Sequence, residues 1–308
     1  MTSLTLPLTI RFPVIKLAAM EEIQEQEFSI PCHDIVYSVE FSKFEWSSRL
    51  LAVGTTSRVT LYDCQFQDEN DEVDEFDYNV VRDFQIGCSV HALAWSPETS
   101  PAVVPKLFGF AAAGSDYKIR LCYSDGKDND RVQSLEGHTD FVNSVTFEPT
   151  RGMSVCWHHE EPLKILVAQK NGIIKIFSLS AQQQIMSLDC GQIPLLAADW
   201  SKSNCLLIGA VAGSDWMTFD TSVSSQPTEK RQAHTEGANG FAWSRSQENV
   251  LATMGRPGRQ VKAFNIRHHQ VSLCITQPIA YGLSWHYKLP FLAVGGDRKV
   301  HIYRVICP

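Results

Sequence analysis

Ala92-Leu93-Ala94-Trp95, Phe110 to Gly114, Ser115-Asp116-Tyr117 and Lys118-Ile119-Arg120-Leu121 follow one another in a single stretch, and their reading decides the fold. A short apolar strand ends in an aromatic. A second apolar strand follows, then a Gly/Ser/Asp turn, then a third strand. β-branched and aromatic residues suit strands. Gly and Asp suit tight turns, where φ must be positive or a side chain must cap the bend. The same unit recurs along the chain. Its aromatic anchors are Phe41, Trp95, Phe147, Trp157, Trp200, Trp243 and Trp285, at successive intervals of 54, 52, 10, 43, 43 and 42. Later strands recur with them: Val59 to Asp63, Ile173 to Phe177, Trp216 to Asp220 and Val300 to Tyr303. The sixth unit, with Pro257 between its strands, is the weakest.

Five of the six intervals suit one blade of a β-propeller, with loop insertions lengthening the first two. A small sheet cannot bury both faces alone, but sheets stacked around an axis can. The ring must also close. The last unit ends in a third strand at Tyr303 to Ile306, while Glu27-Phe28-Ser29-Ile30-Pro31-Cys32 is a spare strand before the first unit. The expected solution is that this N-terminal strand completes the last blade, with Pro31 at the rim. The expected fold is therefore an all-β, WD40-type β-propeller over residues 27–308. Residues 1–26 are expected to be a disordered extension. The first nineteen, interrupted by Pro7 and Pro13, lack a secretory apolar core.

Leu135-Glu136-Gly137-His138-Thr139-Asp140-Phe141-Val142 carries the full WD-repeat signature. In WD repeats the Gly-His histidine bonds a turn Asp and an inner Ser or Thr, a structural network. The residues expected to have structural roles are His138, Asp140, the turn aspartates Asp116, Asp215 and Asp297, and the anchors Trp95, Trp157, Trp200, Trp243 and Trp285. The interval of 10 between Phe147 and Trp157 is too short for a blade; about 32 residues are missing against the 42–43 spacing. Seven anchors then imply a seven-bladed design with one blade mostly deleted, leaving six complete blades and an orphan strand, Val142 to Phe147. That strand would expose unpaired edge groups, and His138 would lose its turn partner. Each buried unsatisfied polar group costs about 1–3 kcal/mol against a total stability of about 5–15 kcal/mol. A splice form or a faulty gene model is expected in preference to a real six-bladed ring.

Composition narrows the function. The net charge is −7 and Lys and Arg form no cluster, which argues against nucleic acid and anionic membrane surfaces. No apolar run is long enough to span a bilayer. There is no P-loop, nucleophile elbow, HExxH or dinucleotide fingerprint, so no enzyme and no cofactor is expected. The nine cysteines lack CxxC spacing and read as small buried thiols. Cys156-Trp157-His158-His159-Glu160 lies on a strand pattern, whose alternating side chains converge poorly on a metal. The run Asp68, Glu69, Asp71, Glu72, Asp74, Glu75 and Asp77 is either a solvated loop or an electrostatic dock for a basic partner; it lacks the glycine of a calcium loop.

Several strings occur in order: Trp95-Ser96-Pro97-Glu98-Thr99, Lys118-Ile119-Arg120-Leu121 with Ser124-Asp125, Leu135 to Phe141, Gly152 to His158, Lys170-Asn171-Gly172, Ala181-Gln182-Gln183, Gly209 to Gly213 and Gly282-Leu283-Ser284-Trp285-His286. Together they resemble the 37-kilodalton WD-repeat nucleoporins of animals, from about Cys32 to Tyr303. The resemblance implies a small propeller in the Y-shaped outer-ring subcomplex of the nuclear pore. It implies docking on a large α-solenoid nucleoporin among other outer-ring nucleoporins, and attachment to kinetochores in mitosis. The chain departs from the family after Thr150. The competing reading is a substrate-recruiting WD propeller of a ubiquitin ligase or another assembly, which would want a basic top-face pocket; no Arg cluster supplies one. The docking face is not legible in the sequence.

Overall fold

The computed structural model describes residues 27–127, 129–146, 156–158, 160–161, 163–255, 260–277 and 280–306. Strand β1 (Glu27–Pro31) opens the chain. Then come β2 (Val36–Phe41), β3 (Leu50–Thr55), β4 (Arg58–Phe66) and β5 (Phe76–Gln85), which form sheet 1. Sheet 2 is β6 (Val90–Trp95), β7 (Phe108–Gly114), β8 (Ile119–Ser124) and β9 (Arg131–Leu135). Sheet 3 is β10 (Cys156–Trp157), β11 (Lys164–Gln169), β12 (Ile173–Ser178) and β13 (Gln183–Asp189). Sheet 4 is β14 (Leu195–Trp200), β15 (Leu207–Ala212), β16 (Asp215–Asp220) and β17 (Glu229–Gln232). Sheet 5 is β18 (Ala238–Trp243), β19 (Val250–Gly255), β20 (Gln260–Asn265) and β21 (Gln270–Thr276). Sheet 6 holds β22 (Tyr281–Trp285), β23 (Phe291–Gly295) and β24 (Lys299–Arg304), with β1 as its outer strand. All pairings are antiparallel, and β1 lies against β24 from Glu27↔Tyr303 to Pro31↔Lys299. The result is a six-bladed propeller whose first strand belongs to its last blade.

The sheets repeat one design. The inner strands β2, β6, β14, β18 and β22 each carry a register shift in their first half. A bulge adds twist and turns the strand toward the axis. The exception is β10, of which only Cys156 and Trp157 pair. Most neighbouring sheets share a buried core. Leu61, Phe84, Trp95 and Phe110 join sheets 1 and 2, and Leu166, Ile174, Trp200 and Phe219 join sheets 3 and 4. Val211, Trp216 and Trp243 join 4 and 5, while Val261, Trp285 and Tyr303 join 5 and 6. Ile30, Phe41, Phe66 and Phe291 close 6 onto 1, where the rings of Phe66 and Phe291 stack at 4.2 Å. Each buried aromatic removes 150–250 Å² from water, about 4–6 kcal/mol of transfer free energy before entropy is counted.

Sheets 2 and 3 meet differently. The strand expected over Val142–Phe147 does not form: residues 141–146 run without ladder pairing, and Phe147 lies outside the described residues. A lone strand has no neighbour to satisfy its backbone, so its apolar residues serve another use. Val142 is buried against Ala111, Ala113 and Ile119 of sheet 2, and Val145 packs beside it. The segment covers a sheet face that would otherwise be wet. The N-terminal extension (residues 1–26), Thr150 and Pro257 lie outside the described residues.

Candidate docking face, channel and open seam

A chain of hydrogen bonds fastens blade to blade. The Trp95 indole N–H donates to the Glu40 carbonyl at 2.8 Å. Trp243 donates to the Asp199 carbonyl at 3.1 Å and Trp285 to the Ala242 carbonyl at 3.2 Å. In each case the acceptor is the residue just before the anchor of the preceding blade. A second latch runs alongside. The Phe41 amide donates to Ser284 Oγ at 2.9 Å, the Trp243 amide to Asp199 Oδ2 at 3.1 Å and the Trp200 amide to Cys156 Sγ at 3.4 Å. Trp200 is fully buried, with His158 edge-on at 4.7 Å. Trp157 follows the short interval. Its indole nitrogen is buried and has no partner among the described residues.

The latch residues lead into the central channel. Asp199 accepts the Arg245 guanidinium at 3.1 Å and the Cys156 thiol at 3.0 Å; Lys43 pairs with Glu40 at 2.8 Å. Burial opposes the charge on Arg245, but Asp199 outweighs it and holds the guanidinium above its ordinary pKa; Glu40 does the same for the half-exposed Lys43. Lys202 of blade 4 lies 3.4 Å over the ring of Tyr287 from blade 6, bridging the channel mouth. Two acids and two of these three bases thus form ion pairs, while the third base, Lys202, lies against an aromatic ring. Among the described residues no group of three His, Cys, Asp or Glu side chains is placed to hold a metal, and no helix is long and apolar enough to cross a membrane.

The turn aspartates differ from one another. Asp116 accepts both guanidinium nitrogens of Arg120, at 3.0 and 2.5 Å, and the Cys88 thiol at 3.4 Å. Hydrogen bonding from Arg120 holds its carboxyl well below the usual range. Asp215 accepts Gln192 and Ser214 at 2.9 and 3.0 Å. Asp297 contributes its backbone carbonyl, which accepts the Val36 amide at 3.1 Å. His138 is exposed, and the exposed Asp140 caps the Phe141 amide. His234, by contrast, is buried, and its Nε2 lies 2.9 Å from Thr253 Oγ1. Burial, with Lys262 nearby, pushes its pKa down to about 4. His234 stands nine residues before Trp243, as His138 stands nine before Phe147. The eight described cysteines are free. Burial pushes Cys122 and Cys190 up to about 12 and Cys32 up to about 11, so these thiols stay protonated.

Loops of blades 6, 1 and 2 build a groove of about 680 Å³ on one face of the ring. Its lining combines the apolar Leu50, Phe66, Trp46, Pro101 and Ala102 with the charged Glu69 and Lys288. Trp46 sits in a 3-10 turn, Glu45–Ser47, and is 58 % exposed. Its indole N–H donates to the Thr99 carbonyl at 2.8 Å, and its ring stacks on Phe44 at 5.2 Å.

Repeated four-stranded sheets and aromatic latches between them define a WD-repeat-type β-propeller. The WD domain, G-beta repeat family matches residues 129–178, a span that crosses the joint between sheets 2 and 3. The solved WD40 β-propeller domain of Doa1 superimposes with a TM-score of 0.66, covering 90 % of this chain and 95 % of that one; at 12 % identity the likeness is one of fold. Human and mouse nucleoporin Nup37 are each 38 % identical, across 89 % of this chain and 95 % of theirs. The Drosophila melanogaster protein is 27 % identical across 93 % and 99 %. The chain belongs to the Nup37 nucleoporin family. The human alignment runs over 309 positions but takes in 89 % of 308 residues, about 274, so about 35 aligned positions have no residue in this chain.

Proposed function

We propose that this chain is a non-enzymatic scaffold subunit of the nuclear pore outer ring. On this reading it docks on a large α-solenoid nucleoporin, supports pore assembly and nucleocytoplasmic transport, and accompanies that subcomplex to kinetochores in mitosis. The observation that carries the reading is the 38 % identity to human Nup37 across nearly its whole length. The paired channel charges support a structural rather than catalytic role. No observation favours the ubiquitin-ligase adaptor.

We also read the chain as a seven-repeat design from which most of one blade is gone. Two observations support this: the anchor interval of 10 and the roughly 35 unmatched positions against the human relative. Affinity purification of the chain from nuclear-envelope extract tests the function. Outer-ring nucleoporins are expected to co-purify, and their absence overturns the reading. Peptide mass spectrometry of native material tests the joint. Recovery of a peptide spanning Thr150-Arg151-Gly152 as the major species overturns the gene-model version of the deletion.

A further inference from the structure

We propose that the groove between blades 6, 1 and 2 is the docking site for a basic, amphipathic segment of the partner nucleoporin. The proposal rests on the scaffold reading above and adds to it a face and a ligand chemistry.

Two independent features of the groove point the same way. The first is the rigid, exposed apolar wall. Trp46 keeps more than half of its surface in water although its position is fixed twice, by the bond to Thr99 and by the stack on Phe44. A large ring held in place loses little entropy on binding, which is the property of an interface anchor. The loop after Pro101-Ala102 extends the wall with Val103 and Val104, 65 % and 85 % exposed, and the Ser100↔Leu107 bridge ties the loop's base.

The second feature is charge. Between Phe66 and Phe76 the chain has six carboxylates and no Lys or Arg. The bases that reach the groove are already engaged: Arg49 forks onto Asp63 at 3.0 and 2.7 Å, and Lys288 lies 3.3 Å from Glu45. Arg304 holds Asp68 at 2.6 Å. Glu69 forms no ion pair among the described residues. Desolvation raises its carboxyl above the ordinary value despite Lys288 and Arg49. An incoming Lys or Arg beside Glu69 and the acidic loop relieves that cost, while an apolar side chain of the same segment covers Trp46. Like-charged segments are repelled, which gives the site selectivity.

The test uses the full chain as bait in nuclear-envelope extract, with outer-ring nucleoporins read by quantitative mass spectrometry. Trp46→Ala is expected to reduce their recovery about 10-fold or more, and the pair Glu45→Lys with Glu69→Lys about 5-fold or more. These side chains are exposed, so folding should survive; thermal melting checks it. A photo-crosslinking amino acid at Ala102 is expected to capture a partner peptide rich in Lys or Arg beside apolar residues. Recovery unchanged in both variants overturns the groove and leaves the scaffold reading intact. Crosslinks to a second copy of this chain, or to an acidic peptide, also overturn it. Failure of the unmodified chain to capture any outer-ring nucleoporin overturns both.

Discussion

Removing one member of the channel network should be costly, and removing its partner as well should restore most of the loss. Arg245 and Asp199 are 9 % and 11 % exposed, and the guanidinium meets the carboxylate at 3.1 and 3.2 Å. Arg245→Met leaves that carboxylate without its closest cation. Breaking a buried pair in this way costs about 3–5 kcal/mol. The lower end applies here, because the Trp243 amide and the Cys156 thiol still bond Asp199 and Lys43 still faces it. At 2–4 °C per kcal/mol for a domain of this order, a loss of about 3 kcal/mol lowers the melting temperature by about 6–12 °C. Adding Asp199→Asn removes the stranded charge while keeping an oxygen for the Trp243 amide. The double variant should lie within about 1 kcal/mol of the parent, about 2 kcal/mol more stable than Arg245→Met alone. Urea titration followed by tryptophan fluorescence measures all four corners of the cycle. A single-variant loss below about 1 kcal/mol, or a double variant worse than the single, refutes the view that these charges hold the axis as a pair.

The latch predicts a contrast between two tryptophans. Trp243→Phe abandons a buried carbonyl and should cost about 1–2 kcal/mol, whereas Trp157→Phe, whose indole nitrogen has no partner, should cost less than half as much; equal losses in urea titration would show that the joint is latched like the other seams. Acid should weaken the fold. His286 and His234 are buried with pKa values pushed down to about 3 and about 4 by desolvation, with Lys288 and Lys262 adding to it. In the unfolded chain they titrate near 6.5, so their contribution is complete above that pH and is lost as pH falls toward the folded values, by about 2 kcal/mol each at pH 5. His286 Nδ1 also accepts the amides of Lys288 and Leu289, which protonation forbids. A urea midpoint unchanged between pH 7.5 and 5 would contradict this. Gly209→Ala places a methyl group on the Phe241 ring between blades 4 and 5 and should cost about 2–3 kcal/mol by overpacking, a loss that Phe241→Leu in the same chain should partly restore in melting experiments.

Much of the ring is legible because one spacing governs it. The aromatic anchors mark the ends of inner strands, and the Gly/Asp turns mark the hairpins. The channel network was not found in that reading, although a signal exists. Lys43, Lys202, Arg245 and Tyr287 each stand two residues after an anchor, while Glu40, Cys156, Asp199 and Ser284 stand one before. Which of them pair depends on how many blades close the circle, and no local pattern states that. His234 is hard to read from sequence because Ala233 stands where the Gly-His signature has glycine, although its distance to Trp243 is right. Val142 to Phe147 has the residues of a strand, but a strand also needs a neighbour, and Val142 and Val145 pack against sheet 2 instead. Trp46 gave no periodic signal, being in a single 3-10 turn inside a loop.

The pairing of β1 with β24 places residue 27 beside residue 303. A ribosome adds roughly 5–20 residues each second, so the first strand waits roughly 14–55 seconds for the partner that completes its sheet. Throughout that time Phe28 and Ile30 have no Phe291 or Ile302 to pack against. Closure of the ring is thus deferred until β24 has been made. A nascent chain stalled before β24 would present an open sheet edge to the chaperones and proteases that monitor synthesis.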